Sequence, residues 1–314
     1  MEFAKNKTWN GLDIPAIGYG TGVVRRYSKN KPLFLRNYIR PVLSSIKHMK
    51  LNKQLYSDLY MDKIVRKAYD VGFRMFDSGR IYAYSEPMIG KGLAGISRSD
   101  YWMTSKVSDM DLSRQGSPND VEGNLQDTLR YMRTDKLDAY LLHWPSGPWK
   151  DIYHQMEDVY QQGLTKTIGV CNCTVKDLQE LSKEWKIKPM FNQLELNPFY
   201  SRRDVRDYCQ ENGIIVMAHT PTFRMGGRIG ECSVLSMLAH KYDKSIAQII
   251  LRWHYQNGVI PLVATTSPVH MLENLSIFDF ELTESDMESI EGLNEDHSLF
   301  TSVGIDDPNY IYNL

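Results

Sequence analysis

Phe73-Arg-Met-Phe-Asp77-Ser-Gly-Arg-Ile-Tyr82 is an apolar run that ends on an acid and passes into a polar loop carrying a phenol. The same design recurs downstream, where Trp102 to Lys106 ends on an amine and Ala139 to His143 ends on an imidazole. Further strand-length apolar runs are Ile14 to Gly20, Thr167 to Cys171, Met190 to Leu194, Ile214 to His219 and Val259 to Val263. Helix-period segments separate them, for example Met61, Ile64, Val65, Ala68 and Val121, Leu125, Leu129, Met132. Eight strands alternating with helices predict an α/β protein, a parallel (β/α)8 TIM barrel rather than an open doubly wound sheet. The absence of G-x-G-x-x-G after the first strand weighs the same way.

Working outward, Asn10-Gly11 between Thr8-Trp9 and Leu12-Asp13-Ile14 has the signature of a two-residue turn, so an N-terminal β-hairpin is expected before the barrel. Ser117-Pro118, Thr174 and Ser201 stand where helix N-caps belong. Extra helices are expected near Val234 to Tyr242 and over Glu284 to Leu293, the latter capped by Thr283 with Asp286. No linker interrupts the chain, and 1–314 reads as a single barrel domain with a basic, helix-patterned insertion at 24–57 and a tail at 295–314 near the barrel mouth.

The length of 314 residues suits a barrel with insertions. An apolar fraction of 42% and a charged fraction of 24% are those of an ordinary globular protein. No stretch has the roughly 20 apolar residues of a membrane helix. The start, Met-Glu-Phe-Ala-Lys-Asn-Lys, lacks the apolar run of a signal peptide, so a cytoplasmic protein is expected. Cys171, Cys173, Cys209 and Cys232 form neither a disulfide framework nor a metal-ligand set. The net charge of -1 hides an asymmetry: residues 24–57 hold nine Lys or Arg and no acid, leaving 28 basic against 38 acidic residues elsewhere.

In a barrel of this type the strand C-termini build the active site, which gives Asp77, Lys106 and His143 a functional reading. Tyr82 follows five residues after Asp77, before a helix that starts near Ser85-Glu86-Pro87. A phenol, with an ordinary pKa of about 10, serves as a general acid at neutral pH when a nearby ammonium stabilises its anion. Lys106 is the natural source of that charge, expected to lower the Tyr82 pKa, with Asp77 holding the lysine and His143 orienting a carbonyl oxygen. The constellation suits the polarisation and protonation of a carbonyl while a cofactor delivers hydride.

These residues belong to longer phrases. Ile14-Pro-Ala-Ile-Gly-Tyr-Gly-Thr21, Asp77 to Tyr82 followed by Glu86-Pro-Met-Ile-Gly-Lys-Gly-Leu93, Leu141-Leu-His-Trp-Pro145, Ile168-Gly-Val-Cys-Asn172, Asn192-Gln-Leu-Glu-Leu-Asn-Pro198 and Gly258-Val-Ile-Pro261 occur in one order. The chain resembles the aldo-keto reductases over nearly its whole length, excepting 24–57 and the tail. The resemblance implies the barrel, a nicotinamide cofactor, and the catalytic tetrad Asp77, Tyr82, Lys106 and His143, with Tyr84 as a decoy. It implies cofactor contacts at Gly20, Thr21, Cys171, Asn172, Gln193, His219, Thr220, Thr265, His270, Glu273 and Asn274, and no metal.

Departures from the family pattern carry their own expectations. Cys171 replaces a serine, and His219 replaces the tyrosine that stacks on the nicotinamide. Ala264 and His270 stand where NADP(H)-preferring relatives carry lysine and arginine, so NADP(H) is the expected cofactor with NAD(H) use admitted. Gly22 falls where many relatives place a tryptophan, which predicts a wider mouth. Leu33, Phe34, Tyr38, Val42, Leu43, Ile46 and Met49 recur at helical spacing among Arg36, Arg40, Lys47, Lys50 and Lys53. That basic segment reads as a solvated surface, an interaction face or a lid that favours anionic substrates. Gly226-Gly227 with Arg224 and Arg228 could form a loop over a pyrophosphate. The expected partner is a small carbonyl or alcohol, with no nucleic acid and no membrane, and the oligomeric state is left open. Two rival readings are a cofactor-binding scaffold without turnover and a barrel lyase or isomerase.

Overall fold

The computed structural model describes residues 6–9, 11–22, 61–82, 85–114, 116–225 and 227–299. The insertion 24–57, Tyr84 and the tail from residue 300 lie outside the described residues. The chain opens with β1 (Asn6–Trp9) and β2 (Leu12–Pro15), an antiparallel hairpin in which Trp9 faces Leu12 and Asn6 faces Pro15. Gly11 turns the chain at φ 80°, as a two-residue turn requires.

The barrel follows in β/α order. Its first units are β3 (Gly18–Gly20) and α1 (Met61–Val71), β4 (Met75–Asp77) and α2 (Ser85–Gly92), then β5 (Trp102–Val107) with α3 (Asp109–Leu112) and α4 (Val121–Met132). Next come β6 (Ala139–Leu142) and α5 (Trp149–Gln161), β7 (Ile168–Cys171) and α6 (Val175–Leu181), and β8 (Phe191–Glu195) with α7 (Arg203–Glu211). β9 (Ile215–His219) leads into α8 (Gly227–Glu231), α9 (Ser233–Tyr242) and α10 (Ile246–Gln256); β10 (Ile260–Val263), α11 (Pro268–Leu275) and α12 (Glu284–Glu291) are the last elements among the described residues. Strands β3 to β10 are parallel and close in the order β10-β3-β4-β5-β6-β7-β8-β9.

The core is divided by side-chain parity along the strands. Ala139 and Leu141, Ile215 and Met217, and Ile260 and Leu262 pack inside the barrel with Met75, Trp102, Cys171 and Phe191. Their alternates, Phe76, Tyr140, Leu142, Val170, Val216 and Val263, join the helices outside. Asp77, Lys106, His143, Gln193 and His219 continue the inward series at the strand ends. A period of two therefore aims polar groups from different strands at one mouth.

Three sequence expectations are corrected. The run Ile14 to Gly20 is not one strand: Pro15 lacks the N–H a barrel ladder needs, so Ile14 stays in the hairpin, where its side chain joins the inner core, and β3 starts only at Gly18. Gly18 itself is required by closure, since a Cβ there would sit 2.5 Å from Leu262 and 2.9 Å from Met75. Helix α4 is capped by Asp120, whose Oδ1 accepts from Gly123 N at 2.6 Å, and not by Ser117. Before α7 the cap position is Arg202, at φ 48°, while the Ser201 amide donates to Asn294 Oδ1. Thr174 and Thr283 do form capping boxes, with Asp177 and Asp286.

The loop that carries Tyr82 is staked by the packing of α2 on α4. At Gly90 a Cβ would lie 2.5 Å from the Tyr131 carbonyl and within 2.8 Å of the Met132 backbone, none of which can turn aside. Gly90→Ala is expected to destabilise the fold by about 3 kcal/mol. An unchanged denaturant midpoint in that variant would contradict this packing.

Candidate active site

Lys106 is fully buried and donates to both Asp77 oxygens at 2.7 Å and to the Ser78 carbonyl at 2.5 Å. Gln193 Nε2 donates to Asp77 Oδ1 at 3.0 Å, which ties β8 to β4. The lysine ammonium lies 5.2 Å from the centre of the Tyr82 ring. Tyr82 Oη lies 3.2 Å from His143 Nε2, and the two rings meet edge to face. The four residues expected from the strand ends are thus in one cluster.

Neighbouring residues hold the cluster in shape. Arg80, in the middle of the Asp77 to Tyr82 phrase, is buried against Glu86 and pairs with Asp127 at 2.7 Å, while its amide donates to the Lys106 carbonyl. Glu86 Oε1 accepts from Ser105 at 2.7 Å and Thr128 at 2.9 Å. Trp144 stacks on His143 at 3.5 Å between ring centres. Gly22 and Gly79 leave room for the Tyr82 and His143 rings, for a Cβ would come within 3.0 Å of the Tyr82 ring at Gly22 and 3.2 Å of His143 at Gly79. Ser78, Trp144 and Gly79 were not singled out from sequence; the signal available was their adjacency to Asp77 and His143.

Electrostatics corrects one expectation. The Tyr82 phenol is pushed well above its ordinary value, by burial first and then by the negative charge of Asp77, where a lowering by Lys106 was expected. The lysine's charge is engaged by the carboxylate at 2.7 Å in the resting site. His143 is held well below the ordinary imidazole value by burial, then by Lys106 and His219. A neutral phenol and a neutral imidazole therefore face each other over a buried ion pair.

The expected cofactor residues divide into two groups. Asn172, at φ 59°, donates from Nδ2 to the His143 carbonyl at 3.2 Å, and its Oδ1 lies 3.2 Å from His219 Nε2. Thr220 neighbours His219 Nδ1 at 3.2 Å. Gly20 pairs with Asp77 across the sheet, and Thr21 donates to the Asp77 carbonyl from both its amide and its hydroxyl. Cys171 is buried among the inner apolar residues, with its thiol pushed up by burial, so it lines the floor below the mouth. Thr265, in the loop after β10, and His270, Glu273 and Asn274, on the Ser267-capped α11, form the second group, with Ala264 and His270 exposed and Asn274 buried. Arg228 is held by Glu295 at 2.6 and 2.7 Å; Gly226 lies outside the described residues, as do residues 23–60.

The sequence pattern of the Aldo/keto reductase family matches residues 48–295. The chain belongs to that family. The match starts after β3, yet the structure seats β3 between β10 and β4 as the barrel requires. Among family relatives, the glyoxal reductase of Bacillus subtilis (strain 168) is 38% identical over 234 residues, covering 74% of this chain and 83% of that protein. The NADPH-dependent codeinone reductase 1-1 of Papaver somniferum is 33% identical over 313 residues, covering 90% and 86%. A Bombyx mori aldo-keto reductase solved in complex with NADP superposes with a TM-score of 0.76 at 26% identity, covering 98% of this chain and 96% of that one. As a member of this family the protein is an oxidoreductase.

Proposed function

We propose that the protein interconverts an aldehyde or ketone and its alcohol by hydride transfer with NADP(H), with Tyr82 as the general acid and base. The observation that carries this reading is the Tyr82 hydroxyl 3.2 Å from His143 Nε2, beside the buried Lys106–Asp77 pair. A carbonyl oxygen seated against the phenol can also accept from His143 when Nε2 holds the ring's proton, and two donors then polarise one C=O bond. Burial keeps Tyr82 protonated until charge develops on that oxygen. The proton then passes from Tyr82 Oη to the substrate, and the Lys106 ammonium stabilises the phenolate left behind. Asp77 and the Ser78 carbonyl fix the ammonium for that moment.

The donor set fits a nicotinamide cofactor. Asn172 and Gln193 present amides at adjacent strand ends, and among the described residues the Gln193 side chain makes one hydrogen bond of the four an amide can make. These two would hold a carboxamide, and Gly20 and Thr21 flank the same strand ends. Thr265, His270, Glu273 and Asn274 would hold the adenosine end. When bound, the reduced nicotinamide supplies the hydride. With alanine at 264 and a titratable imidazole at 270 in place of two permanent cations, NAD(H) is accepted alongside NADP(H). As a lid over the mouth, the basic segment 24–57 would favour carbonyl substrates that carry negative charge.

Titrating the protein with NADPH and with NADH by nicotinamide fluorescence, then adding neutral and anionic aldehydes and ketones, tests the reading. Both cofactors should bind, with turnover of at least one carbonyl class. Binding of neither cofactor would overturn it, and a preference of several hundredfold for NADPH would remove the NAD(H) part.

A further inference from the structure

His219 closes β9 at the active-site mouth and is engaged at both ring nitrogens. Nε2 lies 3.2 Å from Asn172 Oδ1, and Nδ1 lies 3.2 Å from Thr220 Oγ1. An amide oxygen only accepts, so Nε2 carries a proton and the Thr220 hydroxyl donates to Nδ1. Asn172 in turn donates to the His143 carbonyl. One asparagine side chain thus joins the ends of β6, β7 and β9, and both Asn172 and Thr220 hold left-handed backbone, at φ 59° and 55°.

Given the proposed reductase chemistry, a nicotinamide whose carboxamide meets Asn172 and Gln193 has its ring beside the imidazole bonded to Asn172. We infer that His219 sets the relative affinity for oxidised and reduced cofactor: a neutral imidazole admits both, and an imidazolium disfavours the oxidised form alone. The oxidised nicotinamide ring is a cation and the reduced ring is neutral, so the repulsion is selective. Protonation at Nδ1 needs only that the Thr220 hydroxyl turn to accept, which leaves the bond to Asn172 in place. The change acts through charge and not through rearrangement of the site.

Among the described residues, the strands around His219 bring these titratable groups to it. His143, beyond β6, feels the charge of His219. Glu195 is its register partner on β8 and accepts from Ser298 Oγ at 2.6 Å and Leu299 N at 2.9 Å. β10 contributes Ile-Pro-Leu-Val, with no titratable side chain, and Lys106 farther along the mouth is paired with Asp77. An imidazole ordinarily titrates near pH 6.5, about the middle of the physiological range. Acidification thus favours retention of the reduced cofactor over the oxidised one.

Dissociation constants for NADP+ and NADPH, measured by calorimetry on the wild-type protein and on His219→Gln from about pH 5.5 to about pH 8, test the assignment. The adenosine end, its phosphate and His270 are common to both ligands and cancel in the ratio. In the wild type the NADP+ to NADPH ratio of constants should rise about fivefold as pH falls, the effect of two unit charges about 4 Å apart even at the dielectric of water. In His219→Gln it should stay constant. By NMR of labelled histidine in the wild type, NADP+ should lower the midpoint of the His219 titration and NADPH should leave it in place. A wild-type ratio that does not change with pH, or a pH dependence that survives in His219→Gln, overturns the assignment. Failure of either nicotinamide to bind at any pH overturns the reductase reading and this assignment together.

Discussion

Tyr82→Phe is expected to lower kcat for carbonyl reduction about a thousandfold, the middle of the range for loss of a positioned general acid, while the dissociation constant for NADPH stays within about twofold. The variant removes one oxygen and keeps the ring that packs against Gly22, Gly79 and His143. Stability should therefore change little, and the residual rate should come from His143 and the bound geometry. The pH profile of the wild type adds a second readout. Reduction requires the protonated phenol, and burial places its ionisation well above the ordinary range, so Tyr82 should cause no loss of rate between about pH 7 and about pH 9. His143 is held neutral below its ordinary value and should cause no step near pH 6.5. Comparable rates for Tyr82→Phe and the wild type, under conditions where chemistry limits turnover, would remove Tyr82 from the role of acid.

Lys106→Met should impair both stability and turnover. The ammonium gives Asp77 two hydrogen bonds at 2.7 Å in a site where the lysine is fully buried and the acid 4% exposed. Without it Asp77 keeps Gln193 Nε2 as its donor among the described residues, and an uncompensated buried charge costs about 3–5 kcal/mol. Turnover should fall by at least about a hundredfold, because the phenolate formed on proton transfer loses its stabilising cation. The double variant Lys106→Met with Asp77→Asn separates the two effects. Neutralising the acid should restore most of the stability measured by urea unfolding and none of the turnover. Recovery of turnover in the double variant would show that the ammonium serves only to neutralise Asp77.

Parity explains how much of the site could be read from the chain. A strand of period two places Asp77, Lys106, His143, Gln193 and His219 on the inward face once Met75, Leu141, Phe191 and Met217 are inside, and those apolar residues are visible as strand runs. The structure departs from the expected N-caps at Ser117 and Ser201 and from a single strand Ile14 to Gly20 for a common reason. Each rests on a local preference that packing overrides: Pro118 packs where a Cβ on Gly123 would fall, Asn294 takes the Ser201 amide, and the hairpin keeps Ile14.

The order of strands and the strand-end acid, amine, imidazole and phenol were determined by sequence alone, because they depend on residue type and on periodicity along one segment; the replacements at Cys171, His219, Ala264 and His270 follow from the sequence only through its resemblance to the family. The tertiary structure decided the rest. That Tyr82 is a neutral, high-pKa phenol instead of one softened by Lys106 follows from the depth at which it is buried and from the Asp77 charge brought beside it. That His219 grips Asn172, and through it the strand that carries His143, follows from barrel closure bringing β6, β7 and β9 to one rim. Desolvation and through-space contact are sums over residues distant in the chain, and no local pattern contains them.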